Sequence, residues 1–180
     1  MHSTPSLLLP TTPRGALACA ALALAACTTP APVNWPAGLE PAADEAWLAT
    51  LAARGVQIYE CRRNDSGGAW VFVAPDADLF DAAGRRIGSH GAGPSWQARD
   101  GSRVVGTLKA RADAPRADAI PWLLLSTRST GADGDFSRVT NIRRVHTVGG
   151  SAPRSGCGAD TVGATAGVAY TADYVLYTHR

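Results

Sequence analysis

Residues 55–73 read GVQIYECRRNDSGGAWVFV, and this stretch decides the fold class. Gly55–Cys61 alternates and is rich in β-branched and aromatic residues, as is typical of a half-buried strand. Asn64–Gly68 supplies turn residues, and Trp70–Val73 follows as an apolar strand. The two runs therefore predict a β-hairpin.

Turn signals recur at close intervals along the rest of the chain. Asp81–Gly84, Asp100-Gly101 and Asp133-Gly134 each separate runs that have the composition of strands. This spacing predicts an all-β fold, a single antiparallel β-sandwich or barrel of roughly eight or nine strands. Residues 42–53 are ambiguous because their apolar residues recur at helix-like spacing. They predict either a short N-terminal helix or the first strand.

The N-terminal region has the features of an export signal. Arg14 precedes an Ala- and Leu-rich run at residues 16–26, which is too short to span roughly 30 Å of hydrocarbon as a helix of about 20 residues. A buried Ala-rich helix is the alternative. The small residues of Leu24–Cys27 resemble the lipobox of bacterial lipoprotein precursors, which implies cleavage before Cys27 and lipidation of its thiol.

The same resemblance implies a destination. Thr28, being a residue other than aspartate after the cysteine, favours an outer-membrane lipoprotein that faces the periplasm, with surface exposure as the alternative. Residues 28–41 contain four prolines and are predicted to be an extended tether, in which Trp35 either meets the membrane interface or caps the domain. We thus expect a signal peptide at 1–26, a Pro-rich tether at 27–41 and a β domain at 42–180.

The cysteines fit an oxidising compartment. Of the four cysteines, the lipobox resemblance implies that Cys19 leaves with the signal and that Cys27 is lipidated, which leaves Cys61 and Cys157. Two such thiols most simply form a disulfide. A metal-binding or catalytic pair is the alternative, although the two positions lack CxxC spacing.

The charge of the chain argues against a nucleic-acid partner. The formal net charge is +2, and the basic residues are scattered apart from pairs such as Arg143-Arg144. A nearly neutral protein lacks the basic stripe that tracks a phosphate backbone. The expected partners are instead the membrane, through the N-terminal lipid, and a small ligand or an envelope protein.

The segment Gly88–Trp96 has the strongest features of a binding site. Its glycines permit close backbone approach, His90 titrates or binds metal, and Trp96 offers an amphipathic ring. The alternative is a Gly-Pro corner with His90 hydrogen-bonded at the rim and Trp96 in the core. His146 ends another strand and would meet His90 if the two strands were neighbours. We therefore take His90, Trp96 and His146 as candidate ligand-binding residues.

No catalytic residue, cofactor or metal site is assigned. Zinc normally needs three or four ligands, so His90 and His146 would require a third group such as Asp100, which a hairpin turn already explains. Glu60 shares a strand face with Val56 and Ile58, so we expect a structural ion pair with an arginine such as Arg143. A catalytic acid with a raised pKa is the alternative.

Several strings resemble a secreted family of bacteria and fungi known as domain of unknown function 3455. They are GVQIYECR from Gly55, WVFVAPDADLFDAAGRRIGSHGAGPSW from Trp70, DGSRVVG from Asp100, IPWLLL from Ile120, VHTVGGSAPRSGC from Val145, and the closing ADYVLY. The resemblance covers nearly all of residues 55–178. It implies no reaction, since the family has no established chemistry.

Three hypotheses about function remain. The leading one is a non-catalytic, lipid-anchored envelope domain that binds a small ligand or an envelope partner. The second is a metal-dependent or hydrolytic periplasmic enzyme centred on His90 and His146. The third is a structural surface protein that assembles through edge strands or apolar patches.

Overall fold

A computed structural model describes residues 35–180, which form one closed antiparallel barrel. Each strand pairs with the next along the chain, and the last returns to the first. The all-β prediction is confirmed, and of the two architectures it allowed, the barrel is the one that forms. The strands are β1 (Glu45–Arg62), β2 (Ala69–Phe80), β3 (Arg86–Gly91), β4 (Ser95–Ala98), β5 (Arg103–Ala112), β6 (Trp122–Ser129), β7 (Asn141–Gly149) and β8 (Thr165–His179).

The ambiguous segment at residues 42–53 contributes to a strand. β1 pairs with β8 from Glu45 to Glu60 and with β2 from Ala52 to Arg62, so its backbone is hydrogen-bonded along both edges. This pairing overrides a short helix-like spacing of apolar side chains. Among the described residues, helical structure is limited to a 3₁₀ turn at Ala159–Thr161. No helix in that part of the chain is long and apolar enough to cross a membrane.

A dense apolar core fills one end of the barrel. Its members point inward from all sides and are almost fully buried; they include Leu51, Leu79, Val104, Ile142, Tyr174 and Leu176. Closure of the sheet removes the exposed edges that an open sheet of this size would present.

Residues ahead of β1 cover the outer face of the barrel. Leu39 is fully buried there against Val145, Val175 and Tyr177, and Trp35 packs at the margin of the same cluster. The part of the expected tether that the structure describes thus lies against the domain, with Trp35 in the capping role. The expected signal peptide and Cys27 lie outside the described residues.

A disulfide joins Cys61, near the end of β1, to Cys157 in the loop between β7 and β8, with 5.3 Å between their Cα atoms. This is the pairing that the cysteine count indicated. The bridge fixes a long loop to the barrel wall at the end opposite the apolar core.

The expected pair of Glu60 with Arg143 is wrong. Val56, Ile58 and Glu60 face outward on β1, and Glu60 pairs with Arg62 at 2.9 Å. Arg143 instead binds Glu45 at 2.7 Å beneath the N-terminal segment. The face of β1 that carries Val56 and Ile58 was expected to be the inner one, but the face that carries Gln57, Tyr59 and Cys61 is the buried one.

Candidate functional site

A cavity of about 570 Å³ occupies the end of the barrel opposite the apolar core. Trp96 and Leu125 line it and also belong to the core, so they form its floor. Phe72 and Leu108 line it while remaining 49% and 55% exposed, so they mark its mouth. The volume lies within the range of small-molecule sites.

The β3–β4 hairpin brings two of the sequence-predicted residues together on the cavity wall. His90 and Trp96 are direct partners in the register, and their rings stack with centroids 4.5 Å apart. Tyr174 from β8 closes the cluster, 4.9 Å from His90 and 5.5 Å from Trp96. Trp96 fits because Gly106 faces it on β5, where a Cβ would lie 2.9 Å from the indole ring.

Burial keeps His90 uncharged. Desolvation lowers the pKa of His90 to about 3, despite an opposing contribution from its hydrogen bond with the Ser95 carbonyl. Since that carbonyl only accepts, the 2.9 Å contact assigns the ring proton to Nδ1. A general base at neutral pH works best with a pKa near 7, so this environment does not suit acid–base catalysis.

Arg144 brings a cation into the cavity wall. Its Nε and Nη2 atoms donate to the Pro121 carbonyl oxygen at 3.1 and 2.9 Å. Within residues 35–180, no carboxylate lies within 4.0 Å of its guanidinium. Its positive charge also lowers the pKa of His90, in the same direction as burial. A partly buried arginine without an acidic partner is the site's most distinctive chemical feature.

Two inner tyrosines and a glutamine add neutral polar groups. Burial raises the pKa of Tyr170 and of Tyr174, whose hydroxyls lie 3.4 Å apart, so both are protonated at neutral pH. Gln57 lines the cavity at 2% exposure, and its amide nitrogen has no hydrogen-bond partner within the described residues. The indole nitrogen of Trp96 is also unpaired there.

His146 lies apart from His90 and Trp96. A β-bulge in β7 gives it a φ of 49° and leaves its side chain about half exposed, where Nδ1 lies 2.8 Å from an Asp173 carboxylate oxygen. His90 is almost fully buried inside the barrel. The shared site that sequence reasoning allowed for these two histidines is therefore not formed.

Asp100 is held in its hairpin turn. Its carboxylate accepts hydrogen bonds from the Ser102 hydroxyl at 2.6 Å and from the Asp135 backbone at 2.7 Å, and these bonds lower its pKa. It has the structural role that the hairpin suggested. No group of three or more metal-binding side chains occurs in residues 35–180.

A family model described as protein of unknown function (DUF3455) matches residues 41–178. The chain belongs to the DUF3455 family. Neither a curated protein nor a solved structure matches it. Every residue that lines the cavity lies within the matched region, so the cavity is part of the DUF3455 domain itself.

Sequence reasoning missed Arg144 and Tyr174, because both reach the cavity from strands distant in the chain. One signal was present. Adjacent residues of a strand face opposite sides of the sheet, so the Arg143-Arg144 pair inside a strand must direct one arginine into a barrel.

Proposed function

We propose that this DUF3455 protein binds one small, largely apolar molecule inside its barrel and does not transform it. The cavity carries the proposal, because it is open at one end and its walls are mainly aliphatic and aromatic. Ile120 and Leu123 supply one wall, and Trp96 and Leu125 supply the floor. A ligand that replaces water on these surfaces gains the free energy of apolar burial.

The exposed apolar residues at the mouth support the same function. Phe72, Val73 and Leu108 are each about half exposed and all line the cavity. Large apolar side chains grouped on a surface commonly mark an interaction site. Here they give an apolar ligand a continuous path from the surface to the floor.

We further propose that the barrel works in the cell envelope, anchored to the outer membrane through a lipid on Cys27. The lipobox-like Leu24–Cys27 supports this location. Two or more acyl chains make anchoring stable, since each buried CH₂ contributes about 0.8 kcal/mol. Mass spectrometry of the native N-terminus is the test, and an unacylated, uncleaved chain would contradict the anchoring.

Binding itself is tested with a neutral fluorescent probe, N-phenyl-1-naphthylamine, added to the purified protein. We expect saturable binding of one molecule per barrel with a blue-shifted emission. Leu123→Trp should weaken it by about tenfold or more, since the added ring takes cavity volume. Leu124→Trp is the matched control, because Leu124 packs on the outer face.

The two variants show whether the probe binds inside the barrel or on its outer surface. Each is first checked for a cooperative thermal transition and a β-sheet circular dichroism spectrum. If the probe does not saturate, or if both variants weaken it equally, the cavity is not the binding site and the proposal fails.

A further inference from the structure

We infer that the cavity selects amphipathic organic anions, with the oxyanion head held at Arg144 and the apolar chain directed to the mouth. This inference rests on the proposed ligand-binding function and names the class of ligand. It is carried by a cation, an acid-free lining and an apolar path, all in one cavity.

The first observation is the set of contacts that Arg144 makes. Nε and Nη2 converge on a single acceptor, the Pro121 carbonyl oxygen, at 3.1 and 2.9 Å. The side chain of Arg144 also lowers the pKa of the neighbouring Tyr174 hydroxyl by hydrogen bonding. A guanidinium has five N–H donors, so these two neutral oxygens leave part of its hydrogen-bonding capacity and all of its charge available. Carboxylate, phosphate and sulfate oxygens match these donors and neutralise the charge.

The second observation is the charge of the lining. Arg144 lies in the wall and Arg111 at the mouth, and none of the lining residues is aspartate or glutamate. His90 adds no charge at neutral pH because burial lowers its pKa to about 3. The cavity therefore has a formal charge of +2 from its arginines, which a ligand with a cationic head would oppose.

The third observation is the distribution of apolar surface around the cation. Leu123 is the direct strand partner of Arg144, and Leu125 follows it on the same face of β6. Leu108 and Phe72 continue the apolar surface to the mouth. A head group at Arg144 thus places an attached alkyl chain between the floor and the mouth of the cavity.

Gln57 is a further donor for the head group. Its amide is buried at the cavity wall beside the Tyr170 hydroxyl, whose pKa a hydrogen bond from Gln57 lowers, and its nitrogen makes no well-formed hydrogen bond among the described residues. A 180° rotation of the amide exchanges its nitrogen and oxygen within the same space. A head group within reach of the Gln57 amide would give its N–H group a better acceptor, which lowers the cost of a poorly paired buried donor.

The test is competition against N-phenyl-1-naphthylamine with ten-carbon ligands that differ only in the head. They are decanoate, decyl sulfate, decan-1-ol and decyltrimethylammonium, compared at pH 8 below their micelle concentrations. We expect at least one anion to bind about tenfold or more tightly than the alcohol, and the cation to bind most weakly. The two anions separate a planar carboxylate from a tetrahedral head.

Two variants locate the effect. Arg144→Gln should remove the anion preference, so that the variant binds the anions no more tightly than it binds decan-1-ol. Arg111→Gln is the matched control at the mouth and should change the preference by less than about threefold. Binding of decan-1-ol also reports that each variant retains a folded cavity.

The outcomes separate this inference from the function on which it rests. If the probe binds but anions and alcohol compete equally, anion selection is refuted and ligand binding stands. If the preference persists in Arg144→Gln, the head group lies elsewhere and the inference fails. If neither the probe nor any ten-carbon ligand binds the wild-type protein, the proposed function itself fails.

Discussion

Arg143 and Arg144 are neighbours in β7, yet they lie on opposite sides of the barrel wall in contrasting surroundings. Arg143 faces outward and is nearly inaccessible beneath the N-terminal segment, where it binds the Glu45 carboxylate and the Leu39 and Glu40 carbonyl oxygens. Its guanidinium also lies 4.3 Å from the Tyr177 ring centroid. Arg144 faces the cavity and, within residues 35–180, has no carboxylate within 4.0 Å.

The difference separates an arginine whose charge is neutralised inside the fold from one that we propose to be available to a ligand. The outer arginine has its charge compensated inside the fold and joins the N-terminal segment to the barrel. The inner arginine is held in position by a carbonyl oxygen, which orients it without neutralising it. Identical residues one position apart thus have different expected roles, and substitutions distinguish them.

The largest effect is expected from Arg143→Met, which leaves the Glu45 carboxylate buried without its partner. Breaking a buried ion pair on one side costs about 3–5 kcal/mol. Urea unfolding followed by tryptophan fluorescence measures this loss. The double variant Glu45→Leu/Arg143→Met removes both charges and should recover much of it. A single variant that is as stable as the wild type would contradict the structural role of Arg143.

The second-largest effect on stability is expected from protonation of His90, which lies on the inner side of the barrel wall. Its folded-state pKa of about 3 lies below the ordinary value of 6.5, so the unfolded state binds the extra proton. The contribution of neutral His90 to the free energy of unfolding is present above about pH 6.5 and is lost as the pH drops toward 3. The expected loss between pH 7 and pH 5 is about 2 kcal/mol. Urea unfolding at both pH values checks this.

His90→Phe is the control for that pH dependence, because it keeps an aromatic ring against Trp96 and cannot titrate. Its loss of stability between pH 7 and pH 5 should be smaller than that of the wild type by the same amount. An equal pH dependence in both proteins would show that His90 is not buried in its neutral form.

The smallest effect on stability is expected from Arg144→Met. The substitution removes the guanidinium and its hydrogen bonds to the Pro121 carbonyl oxygen but leaves no charge unpaired. The expected loss in the free energy of unfolding is therefore about 1 kcal/mol. The comparison with Arg143→Met in the same urea experiment is the informative quantity. Equal losses in the two variants would remove the distinction between the two arginines.

Much of the fold was readable from local sequence, whereas barrel closure was not. Alternation and turn residues such as Asp100-Gly101 predicted the hairpins, because these depend on neighbouring residues. Closure depends on the pairing of β1 with β8, which joins Glu45 to His179 across almost the whole domain. Nothing in either strand alone specifies that partner.

The inner and outer faces of β1 were the other uncertain feature. Val56 and Ile58 indicated one face as the core, yet Gln57, Tyr59 and Cys61 are the buried residues. Alternation gives the period of a strand but does not state which face is inside when both carry apolar residues. Gln57 lines the mainly apolar cavity at 2% exposure, so a polar side chain on this strand does not mark the outer face.

The candidate site was predicted in part, for the same physical reason. His90 and Trp96 lie on one hairpin, so their sequence proximity became spatial proximity. Arg144 and Tyr174 reach them from β7 and β8 through long-range pairing. The bulge in β7 separates His146 from His90 and Trp96, and no local sequence pattern predicted that bulge.

Anion binding at Arg144 is tested most directly by the position of a bound ligand, measured by anomalous scattering from crystals grown with 10-bromodecanoate. We predict one bromine peak within the barrel, near Phe72 and Leu108, and carboxylate density within hydrogen-bond distance of the Arg144 guanidinium. Bromine on the outer surface, or carboxylate density remote from Arg144, would contradict it.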